Sequence, residues 1–470
     1  MNGVKQQQPN YLVPFIIMVV LMSLIGLITN LNQQFQGPMQ AAYLLMGGSW
    51  TNTLTVLLTF SFFLAYLIMG PSTSRYIDKN GYKKSLIFGL IILIAAFGLF
   101  ELSAYVFDKF DLPNFQASID EAKSILALKG DGTASDIEAM KSLAATTGNF
   151  QVELTGKTQE FKSLLYLKDI TIPVAYYIFL FAAFVVGTAL TYLQAVVNPY
   201  LVACDVTGTS PVQRQSIAGT GNSAMTTVGP LIVAYLIFSG KEGLDINITS
   251  LYIPILVLIV LTGIIIFVLK GIHLPNIAAA EKKENEVLEK SVWSFSHLAL
   301  GVVAIFVYVG VEVAVGANIN LYAIDQGFML KVAAKMATLY WGGLLVGRFI
   351  SSFLSRVSAN IQLIIASIGA GILVLIAMIT NNPWVLVGVG LFHSIMWPAI
   401  FSLAIDKLGK YTSKGTGVLM MGVVGGAVLP LLQGLTADMM GWQWTWIIVV
   451  VGEAYLLYYA MAGYKVKQLP

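Results

Sequence analysis

The chain has 470 residues, of which 57% are hydrophobic and only 11% charged, with a mean hydropathy of +0.77. A soluble domain of this size carries more charge, and a formal net charge of +3 is too small to point to nucleic acid. The single cysteine, Cys204, excludes an intramolecular disulfide and a cysteine-based metal cluster.

Apolar runs of about 20 residues are the length that crosses a bilayer. About twelve occur, near 11–31, 53–72, 85–107, 171–203, 216–239, 249–271, 295–322, 333–355, 360–380, 383–405, 415–437 and 442–463. They predict an all-α integral membrane protein with 12 transmembrane helices. The N-terminal MNGVKQQQPN leads into the first run, and no small-residue cleavage site follows it, so that run is expected to stay as the first helix.

Lysine and arginine in the short loops set the orientation. Lys5 precedes the first run. Arg75, Lys79, Lys83 and Lys84 follow the second, Arg214 the fourth, Arg356 the eighth, and Lys407, Lys410 and Lys414 the tenth. Lys282, Lys283 and Lys290 lie between the sixth and seventh, and Lys465 and Lys467 close the chain. These are alternate loops plus both termini, so both termini are expected on the cytoplasmic face of the cytoplasmic (inner) membrane. Lys241, Lys331 and Lys335 are the exceptions. The charged stretch EKKENEVLEK divides six runs from six. This predicts an N-terminal bundle at 1–271, a cytoplasmic linker at 272–294 and a C-terminal bundle at 295–470, the layout of transporters built from two related halves.

Residues 109–170 fall on the outer side, between the third and fourth runs. Phe115, Ile119, Ala122 and Leu126 recur at helical spacing. Ser135-Asp136-Ile137-Glu138 is a capping box in front of a second helix. Phe161, Leu164, Leu165 and Leu167 suggest a third. The expectation is a small helical cap over the outer mouth, read either as a gate or docking site or as a solvated ornament.

Polar residues inside the apolar runs are the candidates for chemistry. Helix 1 is apolar to Ile28 and then reads TNLNQQFQGP, with Asn30 and Gln33 on one face and Asn32 and Gln36 on another. AAYLLM at 41–46 predicts that the helix runs on, its polar half facing water inside the protein. In helix 4, TYLQAVVNPY places Gln194 and Asn198 on one face, followed by the helix breaker Pro199. Two readings stay open there: a cavity lining, or a polar contact between helices. Glu312 lies mid-span in helix 7, with Tyr308 and Gly316 four residues to either side. A carboxylate there costs about 3 kcal/mol on insertion scales, which makes it a functional hypothesis by default. The plainer reading is a neutral Glu312, or one paired with Arg348, that stabilises the bundle. Glu453 in helix 12 and His393 in helix 10 are also near mid-span. Imidazoles are the side chains that ordinarily titrate near neutral pH, although a lone histidine is more often a packing residue. Tyr340, Trp341 and Trp397 offer flat rings of the kind that cover sugars, or that fill a core.

HExxH, Cys/His clusters, nucleophile elbows and Walker A loops are missing from the sequence, so neither enzyme chemistry nor a primary pump is expected. The residues alone point to a secondary transporter with alternating access, with no cofactor and no metal.

Several stretches carry a resemblance: FFLAYLIMGP followed by NGYKKS, then YLQAVVNPYL, YVGVEVAVGANINLY, YWGGLLVGRFISS, SIMWPAIFSLAIDKLG and VVGGAVLPLLQGLTAD. Together they resemble the fucose–galactose–glucose transporter family, a branch of the major facilitator superfamily. The resemblance implies two six-helix bundles around a central cavity, and a monosaccharide moved by proton symport. It also implies an aspartate in helix 1 and a glutamate in helix 4; the matching positions here are Gln33 and Gln194. An amide pairs with sugar hydroxyls but does not titrate in the physiological range. In helix 5 the family run appears as RQSIAGTGN: Arg214 and Asn222 match, and Gly219 replaces a sugar-contacting glutamine, leaving room for a substituted or N-acetylated hexose. His393 stands where the family has an asparagine.

The implied sugar-binding set is Asn30, Gln33, Gln194, Asn198 and Asn222, with Asn318, Trp341 and Trp397 from the second half. The proton-coupling candidates are Glu312, His393 and Glu453. The alternative is an uncoupled facilitator, because both family carboxylates are amides. A third class is a transporter-like sensor. The expected partners are the monosaccharide, a proton or sodium, and membrane lipid, with the chain acting as a monomer.

Overall fold

The computed structural model describes residues 11–44, 50–127, 134–147, 150–155, 162–167, 172–204, 206–207, 211–241, 245–274, 291–351, 357–408, 411, 415, 418–419 and 421–466. Lys5, Phe161, Lys282, Lys283, Lys290, Arg356, Lys410, Lys414, Lys467 and most of the expected linker lie outside the described residues.

Helices follow the apolar runs closely. Helix α1 is Leu12–Tyr43, and it runs on past the polar stretch as expected. Thr51–Val106 reads as one helical stretch that turns at Gly81 (φ 76°, ψ 172°), which divides it into α2 (51–80) and α3 (82–106). That left-handed φ suits glycine. Next come α4 (Leu112–Ala127) and α5 (Ala134–Thr147) in the cap. The remaining helices are α6 (Val174–Ala203), α7 (Pro211–Leu231), α8 (Ile248–Gly271), α9 (Ser296–Asp325), α10 (Leu330–Ser351), α11 (Ala359–Thr380), α12 (Pro383–Ile405), α13 (Gly422–Met440) and α14 (Trp442–Gly463). Among the described residues, ten helices are long and apolar enough to cross a membrane. With α7 and α10, which are less apolar, the membrane helices number twelve.

Packing explains the difference in polarity. Helix α8 turns Ile253, Leu256, Val257, Ile264 and Phe267 outward, the pattern of a lipid-facing helix. Helix α9 is buried along most of its length, against α10, α12, α13 and α14. Helices α7 and α10 pack on each other across the middle of the molecule, and α13 packs on α2 in the same way. Side chains that meet protein instead of lipid need less hydropathy. At the end of α8, Lys83 from the first turn of α3 donates to the carbonyls of Lys270 (3.0 Å) and Ile272 (2.7 Å), so this cation also caps a helix C-terminus.

The cap corrects one expectation. Its first two helices are present as α4 and α5. In place of the third, β1 (Phe150–Thr155) pairs antiparallel with β2 (Lys162–Leu167), with Val152 opposite Leu165. The sequence reason is that Phe150, Val152 and Leu154 alternate with Gln151, Glu153 and Thr155, the period of a strand. The cap is tied to the body by Asp111, which accepts from the Ala175 N–H at the start of α6 (3.0 Å), and by a Lys123–Asp245 ion pair at 3.4 Å.

A second correction concerns α1. Asn30, Asn32, Gln33, Gln34 and Gln36 are buried within protein, each 2% exposed or less, instead of facing water.

Candidate functional site

Three residues far apart in the sequence meet in one cluster. Helix α12 is interrupted after His393, where Pro398 has no N–H for the Ser394 carbonyl. In the same turn the Tyr308 hydroxyl donates to the His393 carbonyl at 3.2 Å. The imidazole is fully buried. Its Nε2 is 2.8 Å from Glu453 Oε1 on α14, and its Nδ1 is 2.8 Å from the Tyr340 hydroxyl on α10. Tyr340 also reaches the Glu312 backbone carbonyl on α9 at 3.0 Å. The Glu312 carboxyl lies near Tyr308, Arg348 and His393, close enough for each to act on its charge. Arg348 itself donates to Ser223 on α7, across the middle of the molecule. Glu453 Oε2 has no partner among the described residues. Glu312, His393 and Glu453 therefore form one continuous polar cluster held by Tyr308 and Tyr340, in which a buried imidazole and carboxylate can share and exchange a proton.

The amide set is more dispersed. Asn30 packs against Gly229 of α7, where no side chain would fit, and neither of its amide atoms has a partner among the described residues. Gln33 Oε1 is also unpartnered there. Such buried amide atoms are costly unless a ligand meets them. Asn222 donates to the Met22 carbonyl (3.1 Å) and packs on Gly26, which uses its amide within the α1–α7 contact. Gln194 donates to the Tyr66 hydroxyl at 3.1 Å, and Asn198 lies one turn further along α6, half-buried. The helix continues through Pro199 to Ala203.

In the second half, Trp341 lies over Gly316, and its indole Nε1 is unpartnered among the described residues. Trp397 stacks on Phe401 at 6.5 Å and approaches Tyr308 at 6.2 Å, so it borders the histidine cluster. Asn318 is turned toward α13, donating to Gln433 at 2.8 Å, and Gln433 in turn donates to Thr445. The structure thus joins Asn30 and Asn222 along α1–α7. It sets Asn318 on a face of α9 apart from Gly316 and Trp341.

Four residues that join the halves were not visible from the sequence. Gln34 on α1 donates to the Gly316 carbonyl (3.3 Å) and accepts from Asn320 (3.2 Å) on α9. Asp438 at the end of α13 accepts from the Asn52 and Thr53 N–H groups, at 2.9 and 2.7 Å, capping the N-terminus of α2. Trp442 Nε1 donates to the Asn52 side chain at 3.0 Å. Gln34 and Asn320 carry a weak signal, being polar within apolar runs. Asp438 carries none, because an acid at the end of a run reads as a surface residue.

No family model matches the chain. Among curated proteins, the chain is 34% identical over 299 residues to a glucose/galactose transporter of Brucella abortus, covering 62% of this chain and 72% of that one. It is 31% identical over 313 residues to a putative glucose/galactose transporter of Helicobacter pylori, covering 63% and 76%. It is 24% identical over 294 residues to the L-fucose–proton symporter of Escherichia coli, covering 57% and 67%. Among solved structures, the fold is similar to the major facilitator superfamily transporter FucP in the outward conformation, with TM-score 0.61, 19% identity and coverage of 96% and 98%. It is similar also to a D-xylose–proton symporter, with TM-score 0.65, 11% identity and coverage of 98% and 100%.

Proposed function

The chain belongs to the fucose–galactose–glucose transporter family of the major facilitator superfamily, and from that premise we propose that it moves a monosaccharide in symport with a proton held at His393 and Glu453. It is a multi-pass membrane sugar transporter and not an enzyme. The observation that carries the proton is the His393–Glu453 pair, 2.8 Å apart with side chains 0% and 2% exposed. Gln33 and Gln194 cannot titrate in the physiological range, so a coupled carrier needs its proton elsewhere. This pair is buried near mid-span beside the half-buried Glu312, and both carboxyls and the imidazole can take a proton.

Alternating access rests on two units, 1–271 and 295–470, that rock about a central site. The polar links between them, Gln34 to α9 and Asp438 to α2, can be broken without unfolding either unit. Sugar hydroxyls pair with the unpartnered amide atoms of Asn30 and Gln33, and with Gln194 and Asn198, while Trp341 and Trp397 cover the C–H faces; Asn222 and Asn318, engaged with Met22 and Gln433, support the helices around the site. Glucose, galactose and L-fucose are the sugars named for the relatives. A Cβ at Gly219 would meet nothing within 4 Å, which favours a bulkier, substituted hexose. The carrier acts as a monomer in the cytoplasmic membrane, with both termini in the cytoplasm and the 109–170 cap outside.

The second reading, an uncoupled facilitator, is favoured by the amides at 33 and 194. Glu453→Gln and His393→Gln separate the two. Each is expected to abolish proton-driven accumulation while sugar exchange continues. Full accumulation in both variants removes the proton from this pair.

A further inference from the structure

We propose that the Tyr340 hydroxyl is the element that carries proton occupancy of His393 to the contact between the two halves, an inference that rests on the symport reading. A phenol has one proton, and Tyr340 has two acceptors in reach: His393 Nδ1 at 2.8 Å and the Glu312 carbonyl at 3.0 Å. With Nε2–H donated to Glu453, a neutral imidazole presents a lone pair at Nδ1, which accepts the hydrogen bond from the Tyr340 hydroxyl. A proton arriving at Nδ1 turns that nitrogen into a donor. The Tyr340 oxygen then accepts, and the phenol proton turns to the Glu312 carbonyl. No bond of the tyrosine breaks; the transported proton enters and leaves at Nδ1.

That carbonyl is the one α-helical geometry pairs with the Gly316 N–H. A second donor there competes with the helix at a sensitive turn. Gly316 lies under the Trp341 ring, with no room for a Cβ. Its own carbonyl accepts from Gln34 of the other half at 3.3 Å, and Asn320, one turn on, donates to Gln34 at 3.2 Å. Rotation of one hydroxyl therefore acts on the turn that touches both a sugar-facing ring and the opposite half. The groups around the imidazole are Glu453 from α14, Tyr308 and Glu312 from α9, and Tyr340 and Arg348 from α10; α11 contributes no titratable side chain.

The test is sugar affinity of the purified full chain as a function of pH, with glucose as the probe, alongside counterflow exchange in liposomes. Wild-type affinity is expected to change by about fivefold or more across the pH range, the scale of an ordinary coupling. Tyr340→Phe keeps the ring and is expected to flatten that dependence while exchange continues. Tyr459→Phe is the control: it removes another buried hydroxyl, donated at 3.1 Å to the His297 carbonyl, and is expected to keep the wild-type profile. A wild-type profile in Tyr340→Phe, or equal flattening in Tyr459→Phe, overturns the inference and leaves symport standing. A wild type with neither pH dependence nor proton-driven accumulation overturns symport itself. Should Tyr340→Phe not reach the membrane, amide exchange of the wild type reads the same link. Protection at Gly316 is expected to fall as affinity changes with pH, and constant protection overturns the role of Tyr340.

Discussion

Replacing one partner of the His393–Glu453 pair tests whether the two groups are a unit. Both side chains are buried and 2.8 Å apart, so neither can turn to water when the other is lost. Breaking a buried pair from one side costs about 3–5 kcal/mol, whereas replacing both members by apolar residues of similar volume is often neutral. The costs of Glu453→Leu and His393→Leu are unequal. The first leaves a neutral imidazole that still has Tyr340 as a partner. The second leaves a carboxylate with neither oxygen satisfied, the costlier orphan. The expected order of stability is wild type and double variant together, then Glu453→Leu, then His393→Leu. The coupling between the two sites is then several kcal/mol. Thermal unfolding in detergent, read as the rank of the midpoints, measures it. Single variants as stable as wild type, or a double variant as poor as the two losses added, would refute the idea that these residues form a coupled buried pair.

Other consequences follow from neighbouring contacts. Asp438→Ala removes a helix cap worth about 0.5–2 kcal/mol, so the state open at the α2–α13 end should gain about two- to thirtyfold in population. Distances between spin labels on α2 and α13, in a background lacking Cys204, read this directly, and an unchanged distribution counts against a latch. Gly229→Ala drives a methyl into the buried Asn30 amide and is expected to raise KM for sugar and to lower the unfolding midpoint, overpacking costing about 1–3 kcal/mol. Gly219→Gln fills open space and should shift preference from N-acetylated toward unsubstituted hexoses; unchanged selectivity would place Gly219 outside the sugar path.

The membrane helices were legible because apolar length is a one-dimensional signal. Even α7 and α10, polar enough to fall short on hydropathy alone, stood out as runs between charged loops. The third cap segment was misread because three leucines within four residues fit a helix turn, while the partner strand at 150–155 supplied the alternation that decides the pairing. Glu312, His393 and Glu453 were each visible as costly residues at mid-span. Their meeting was not, since it depends on how α9, α12 and α14 pack. The polar stretch of α1 was read as facing water, yet Asn32 and Gln36 are enclosed by protein, because a continued helix turns every face of that stretch toward a neighbour. Asp438 and Gln34 act across the two halves, and no local pattern marks a residue whose partner lies hundreds of positions away.

Proton coupling through the buried pair is the central claim, and uptake by the purified wild-type protein in liposomes tests it most directly. An inward proton gradient of one pH unit is worth 1.36 kcal/mol per proton, enough for about tenfold accumulation at one proton per sugar. The account predicts sugar concentrated inside by about that factor with the gradient, and only equilibration without it. Equilibration in both conditions would contradict it and make this carrier a facilitator, provided a sodium gradient also drives nothing.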